Sequence, residues 1–114
     1  AHGSRDPIWR LPIEAVAIEI QALDEHVPVA CAYLELCQPS LPEAAAAFIA
    51  AGAKHVRVFP LFLGVGKHAR EDLPLLIQQL KIDHPQVRFE LRRAIGEEPQ
   101  LTQAMADIAL AALL

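Results

Sequence analysis

Two histidines in this chain stand where an imidazole could do chemistry. His2 opens the turn His2-Gly3-Ser4-Arg5-Asp6-Pro7, and His68 follows the apolar run Pro60-Leu61-Phe62-Leu63 by way of Gly64 and Gly66. Imidazole titrates near neutral pH and binds borderline divalent metals, so each is a candidate metal ligand and proton acceptor. Taken singly, a turn histidine is more often a solvated surface residue. Glu35 finishes an apolar stretch, where a carboxylate is costly without a purpose or a partner. Its plain structural reading is a salt bridge to a nearby Arg or Lys. Gly3, Ser4 and the amides that follow Asp6 offer hydrogen-bond donors to an anion. Arg5, Lys67 and Arg70 add positive charge within a chain of formal net charge −4. Gly64 and Gly66 would let backbone approach a flat, bulky ligand. The combination favours a polycarboxylate ligand together with a metal. Two imidazoles and a carboxylate accept cobalt, nickel, iron or zinc, so the metal itself stays open.

These residues need elements to carry them. Apolar residues recur at near-helical spacing from Ile8 to about Glu25, with Asp6 and Pro7 as a capped start and Pro12 as a break or the true beginning. Val27 to Leu36 is almost continuously apolar, as suits a strand covered on both faces. Ser40 and Glu43 then read as a capping box for an alanine-rich helix that Gly52 stops. A second apolar strand spans Lys54 to Leu63. The helix after it carries Leu73, Leu76, Ile77 and Leu80 on one face. Val87 to Ala94 alternates as an edge strand does, Ile95 to Pro99 is a loop, and Leu101 to Leu114 is a final helix.

Strands alternating with helices imply a parallel sheet with right-handed crossovers. With one more strand before His2, a strand absent from this chain, the unit is a four-stranded, doubly wound, flavodoxin-like α/β domain over residues 1–114. Strand order 2-1-3-4 would bring His2, His68 and Glu35 to one crevice at the carboxyl ends of the strands.

Composition narrows the function classes. Apolar residues make up 54% and charged residues 21% of 114 residues, which predicts one folded domain. The acidic balance argues against a nucleic-acid surface. No apolar run reaches the roughly 18 residues of a membrane span, and the chain opens on a polar turn rather than a signal peptide. Cys31 and Cys37 have no CxxC spacing and read as a core thiol and a loop thiol, both reduced in a cytoplasmic protein. His26, His55 and His84 lie at element ends and read as surface or helix-end residues.

Three blocks, His2-Gly3-Ser4-Arg5-Asp6-Pro7, Ala32-Tyr33-Leu34-Glu35 with Gln38-Pro39-Ser40, and Pro60-Leu61-Phe62-Leu63 with Gly66-Lys67-His68 and Glu71-Asp72-Leu73-Pro74, resemble the small CbiX-type sirohydrochlorin chelatases in order and spacing. The resemblance implies an enzyme that inserts Co2+, Fe2+ or Ni2+, a substrate rather than a resident cofactor, into a tetrapyrrole for cobalamin or siroheme biosynthesis, with no organic cofactor. It implies that His2 and His68 form the metal and proton-transfer site, with Glu35 at the acidic position of the second block. It also implies a homodimer, or pairing with a sister domain, and an apolar strand ahead of His2. A non-catalytic metal or tetrapyrrole carrier on the same crevice is the alternative.

Overall fold

The Asp6 carboxylate accepts a hydrogen bond from the Ile8 N–H at 3.0 Å, and Pro7 supplies the fixed φ that a helical first turn needs. The turn at Pro7–Arg10 is a 3-10 helix, and helix α1, Leu11–Leu23, follows it directly with Pro12 in its first turn. Pro12 therefore marks a start, not a break. The structure, a computed structural model, describes all residues 1–114. Its remaining elements are α2 (Leu41–Ala50), β1 (His55–Val58), α3 (Lys67–Asp83), β2 (Arg88–Leu91), a 3-10 turn at Ile95–Glu97 and α4 (Pro99–Ala111). The chain divides into two compact units, Ala1–Val56 with Gln86–Arg88 and Arg57–Pro85 with Phe89–Leu114.

In the first unit, Ser40 caps α2 as the sequence predicts. Its hydroxyl accepts from the Glu43 N–H at 3.2 Å while the Glu43 carboxylate accepts from the Ser40 N–H at 3.1 Å. The Ser40 bonds hold the Glu43 carboxyl below its ordinary range. The cap's pH-dependent share is therefore complete above the usual glutamate range and is lost as pH falls below it, through the lowered folded-state value. Ser40→Ala is expected to cost about 1 kcal/mol in a urea melt at neutral pH. At the other end of α2, Gly52 adopts φ 100°, a left-handed conformation that suits the glycine stop.

The expected strand from Val27 to Leu36 is corrected. This segment forms no ladder strand; an isolated parallel bridge joins Tyr33 to Ser40. The Tyr33 and Leu34 N–H groups donate to the Pro39 and Ala1 carbonyls, both at 2.9 Å. An apolar run becomes a strand only where a neighbouring backbone supplies a continuous ladder; here Ala1 bonds to Ala32 and Leu34, and Pro39 accepts from Tyr33.

The sheet has two strands, β1 beside β2, where the sequence pattern expects four. They run parallel: the Arg88 N–H reaches the Lys54 carbonyl and the Arg92 N–H reaches the Val58 carbonyl, each at 2.9 Å. Pro60 has no N–H to give a ladder, so β1 stops before the apolar block ends at Leu63. Backbone bonds nonetheless continue past it, from Ile95 to Pro60 and from Gly96 to Phe62 at 2.9 Å. In the second unit, α3 buries Ala69, Leu73, Ile77 and Leu80 at helical spacing, and Phe89 of β2 is buried. Glu90 pairs with Arg92 at 2.9 Å and Arg57 at 3.1 Å, and chiefly the Arg92 bond holds its carboxyl below the ordinary range. No helix is long and apolar enough to cross a membrane.

Candidate functional site

His2 lies in no helix or strand, so its position depends on tethers. The first is Glu35. Its carboxylate oxygen Oε1 lies 3.0 Å from His2 Nδ1, although 33 residues separate the two in sequence. Both side chains remain about half exposed, at 52% and 44%, so the pair is open to solvent and to a ligand. An exposed pair of this kind adds little to stability, and its value lies in orienting the ring.

The second tether is steric. Gly3 is buried, and a Cβ built on it would run into the Glu35 carbonyl oxygen and stand 2.9 Å from Cys37 Sγ. The chain can pass that close to residue 35 only because residue 3 has no side chain.

The backbone that presents Glu35 is itself unusual. Leu36 has φ 69°, and the Cys37 N–H donates to the Glu35 carbonyl at 2.9 Å. Residues 35–37 thus form a γ-turn with a positive φ at its centre, a rare and strained form. Leucine in that region costs roughly 1–2 kcal/mol, which surrounding contacts must offset. Leu36→Gly should therefore raise stability in a urea melt by about 0.5–1 kcal/mol, after glycine's own entropic cost. A loss of stability would show that the turn is unstrained.

Ser4 turns inward within its own loop, its hydroxyl accepting from the Asp6 N–H at 3.0 Å, and Arg5 is exposed. The Trp9 indole N–H donates to the His2 carbonyl at 3.1 Å. The structure therefore brings together His2, Gly3, Ser4 and Glu35, and adds Trp9, Leu36 and Cys37, which the sequence analysis did not select. Trp9 is the chain's one tryptophan and sits just beyond Asp6-Pro7, which is the only sequence signal it carried. Nothing in the sequence marks Leu36.

Gly64, Gly66, Lys67, His68 and Arg70 form a separate group in the second unit. Gly66 caps α3 without a side-chain hydrogen bond, Lys67 and His68 are its first two residues, and no acidic residue lies in its first turn. Unsatisfied N–H groups, the helix dipole and the cations of Lys67 and Arg70 thus make this end of α3 positive. His68 is exposed there. Gly64 and Gly66 face open space, and neither has a positive φ, so no contact within the chain requires glycine at either position. Next to this group a cavity of about 140 Å³ is lined by Phe62, Val65, Leu73 and Ala94, with Arg70 and Arg92 among its polar residues. No cluster of three or more His, Cys, Asp or Glu side chains forms a metal cage. Both cysteines are free thiols.

Comparison with known proteins adds a family. The CbiX family model matches residues 1–111. Sirohydrochlorin cobaltochelatase from Methanopyrus kandleri is 32% identical over 76 residues, covering 67% of this chain and 53% of the relative. Sirohydrochlorin ferrochelatase from Bacillus subtilis is 30% identical over 107 residues, covering 91% of this chain and 40% of the relative. The chain thus spans about half the length of these curated relatives. Among solved structures, a protein described as a cobalamin-biosynthesis CbiX protein from Marinobacter aquaeolei superposes with a TM-score of 0.83 at 34% identity, covering 98% of this chain and 91% of that one.

Proposed function

Because the chain belongs to the CbiX family, we propose that it inserts a divalent metal, cobalt or iron, into sirohydrochlorin. The observation that carries this reading is the His2–Glu35 pair at 3.0 Å, in a chain matched by that family along residues 1–111.

Metal insertion makes two demands. The incoming M2+ must shed water, and two pyrrole N–H protons must leave the macrocycle. In this reading His2 and His68 hold the metal and take up those protons. With Nδ1–H donated to Glu35, the His2 ring carries its lone pair on Nε2, the atom that would take the metal or the proton. A site with few side-chain ligands suits an ion in transit, since structural metal sites close with four.

The positive end of α3, with Lys67 and Arg70, would engage carboxylates of the substrate, as would Arg5 and the Gly3-Ser4 loop. The open faces of Gly64 and Gly66 would leave room for the flat macrocycle. The reading treats residues 1–114 as one chelatase-like domain on a four-stranded, doubly wound sheet. The Leu34 N–H bond to the Ala1 carbonyl supports it, as a pairing expected where the backbone before His2 runs beside residues 32–34. Pairing with a second copy or a sister domain belongs to the same reading.

Competition among Co2+, Fe2+ and Ni2+ for sirohydrochlorin, followed by the optical change on metallation, tests the proposal. Protein-dependent acceleration with cobalt or iron is the expected result. Metallation no faster than without protein, for all three ions, would refute it.

A further inference from the structure

We infer that Trp9 is a positioning residue for His2, its indole N–H fixing the backbone from which the imidazole projects. This rests on the role proposed for His2, and it names a residue that neither the sequence motifs nor the family comparison assigns.

His2 sits in a segment without regular structure; Ala1 before it bonds to Ala32 and Leu34, and further restraints act on His2 and Gly3 themselves. Glu35 holds the ring through Nδ1 at 3.0 Å. The close passage of Gly3 over the Glu35 carbonyl fixes the chain just after His2. Neither of these holds the His2 carbonyl. Trp9 does, at 3.1 Å from Nε1.

The local sequence explains why the indole arrives there. Ser4 accepts from the Asp6 N–H, Asp6 accepts from the Ile8 N–H, and the Trp9 N–H donates to the Asp6 carbonyl at 3.1 Å. These bonds fold residues 4–9 back over the loop, and the 3-10 turn starting at Pro7 presents the ring to residue 2. Trp9 is 52% exposed, so it contributes less to a core than a buried tryptophan would. Its one polar atom is nonetheless committed to the residue that carries the chemistry.

A hydrogen bond that only positions should change rate without changing affinity. Trp9→Phe keeps an aromatic ring and removes the donor. In the full chain it is expected to lower kcat for metal insertion about 3- to 10-fold, with KM for sirohydrochlorin within twofold of wild type and the thermal midpoint little changed. A second readout needs no turnover: the His2 imidazole proton resonances, recorded at one fixed pH without metal. They should be narrow in the wild type and broadened or averaged in Trp9→Phe, as the ring samples several orientations. Unchanged His2 resonances would overturn the inference, as would an unchanged kcat in an active enzyme. A wild type that turns nothing over would instead refute the chelatase reading, and the resonances alone would then decide the role of Trp9.

Discussion

His68→Ala is expected to slow metal insertion into sirohydrochlorin by roughly 10²–10⁴-fold, the range that a general acid–base group contributes. The loss should fall on kcat, with KM changing by no more than a few-fold, because in the proposed mechanism the substrate's carboxylates would engage other groups. In the proposed mechanism its neighbours Lys67 and Arg70 would attract those carboxylates, whereas His68, in the first turn of α3, would supply a lone pair. The exposed His68 ring packs no core, so folding should survive and the comparison should be clean. His2→Ala should behave alike, and the double variant should be little worse than either single one, because residues that act as a unit are not additive. Glu35→Gln should cost less than either histidine, since it acts through His2. Rates of metallation at saturating sirohydrochlorin would check all four. Full activity in His68→Ala would remove that residue from the mechanism.

The second large effect is steric. Gly3→Ala should destabilise the protein by about 1–3 kcal/mol, the usual cost of forcing extra volume into packed surroundings. The added methyl meets the Glu35 carbonyl, a backbone atom that moves only with its whole γ-turn, and Cys37 Sγ at 2.9 Å. Because the same displacement pulls Glu35 away from His2, activity should fall further than stability alone explains. Gly64→Ala is the control for stability: a Cβ there has nothing within 4 Å, so its urea midpoint should match the wild type. Equal midpoints for Gly3→Ala and Gly64→Ala would contradict the close approach described for residue 3.

Local chemistry made several elements legible from sequence. Ser40 with Glu43, Asp6 with Pro7, and Gly52 each specify a neighbour a few residues away and appear as read; of Leu73, Leu76, Ile77 and Leu80, all but the half-buried Leu76 are buried. What failed was long-range. Val27 to Leu36 has a strand's composition, yet strand pairing is decided by what lies alongside, and the bonds to Ala1 and Pro39 reach residues 32–34 without making a ladder strand. Leu63 belongs to the apolar block after β1, but Pro60 interrupts the ladder before it.

The site divides in the same way. The 2-1-3-4 strand order expects His2, Glu35 and His68 at one crevice, and the structure sets His2 Nδ1 3.0 Å from Glu35 Oε1. Gly3 was selected as an amide donor to an anion, whereas its clearest contribution is the side chain it lacks. Leu36 could not have been found, since leucine gives no sign of a positive φ. Gly64 and Gly66 read as positions where backbone approaches a bulky ligand, and a Cβ at either would meet nothing within 4 Å of the chain itself.

Catalysis is tested most directly by counting product per chain. Purified protein at low micromolar concentration is mixed with excess sirohydrochlorin and Co2+, and metallated product is followed optically against a protein-free control. The chelatase reading predicts many equivalents of product per chain, formed at a rate proportional to protein concentration and lost in His2→Ala. A single equivalent, bound and not released, would contradict it and identify a carrier instead.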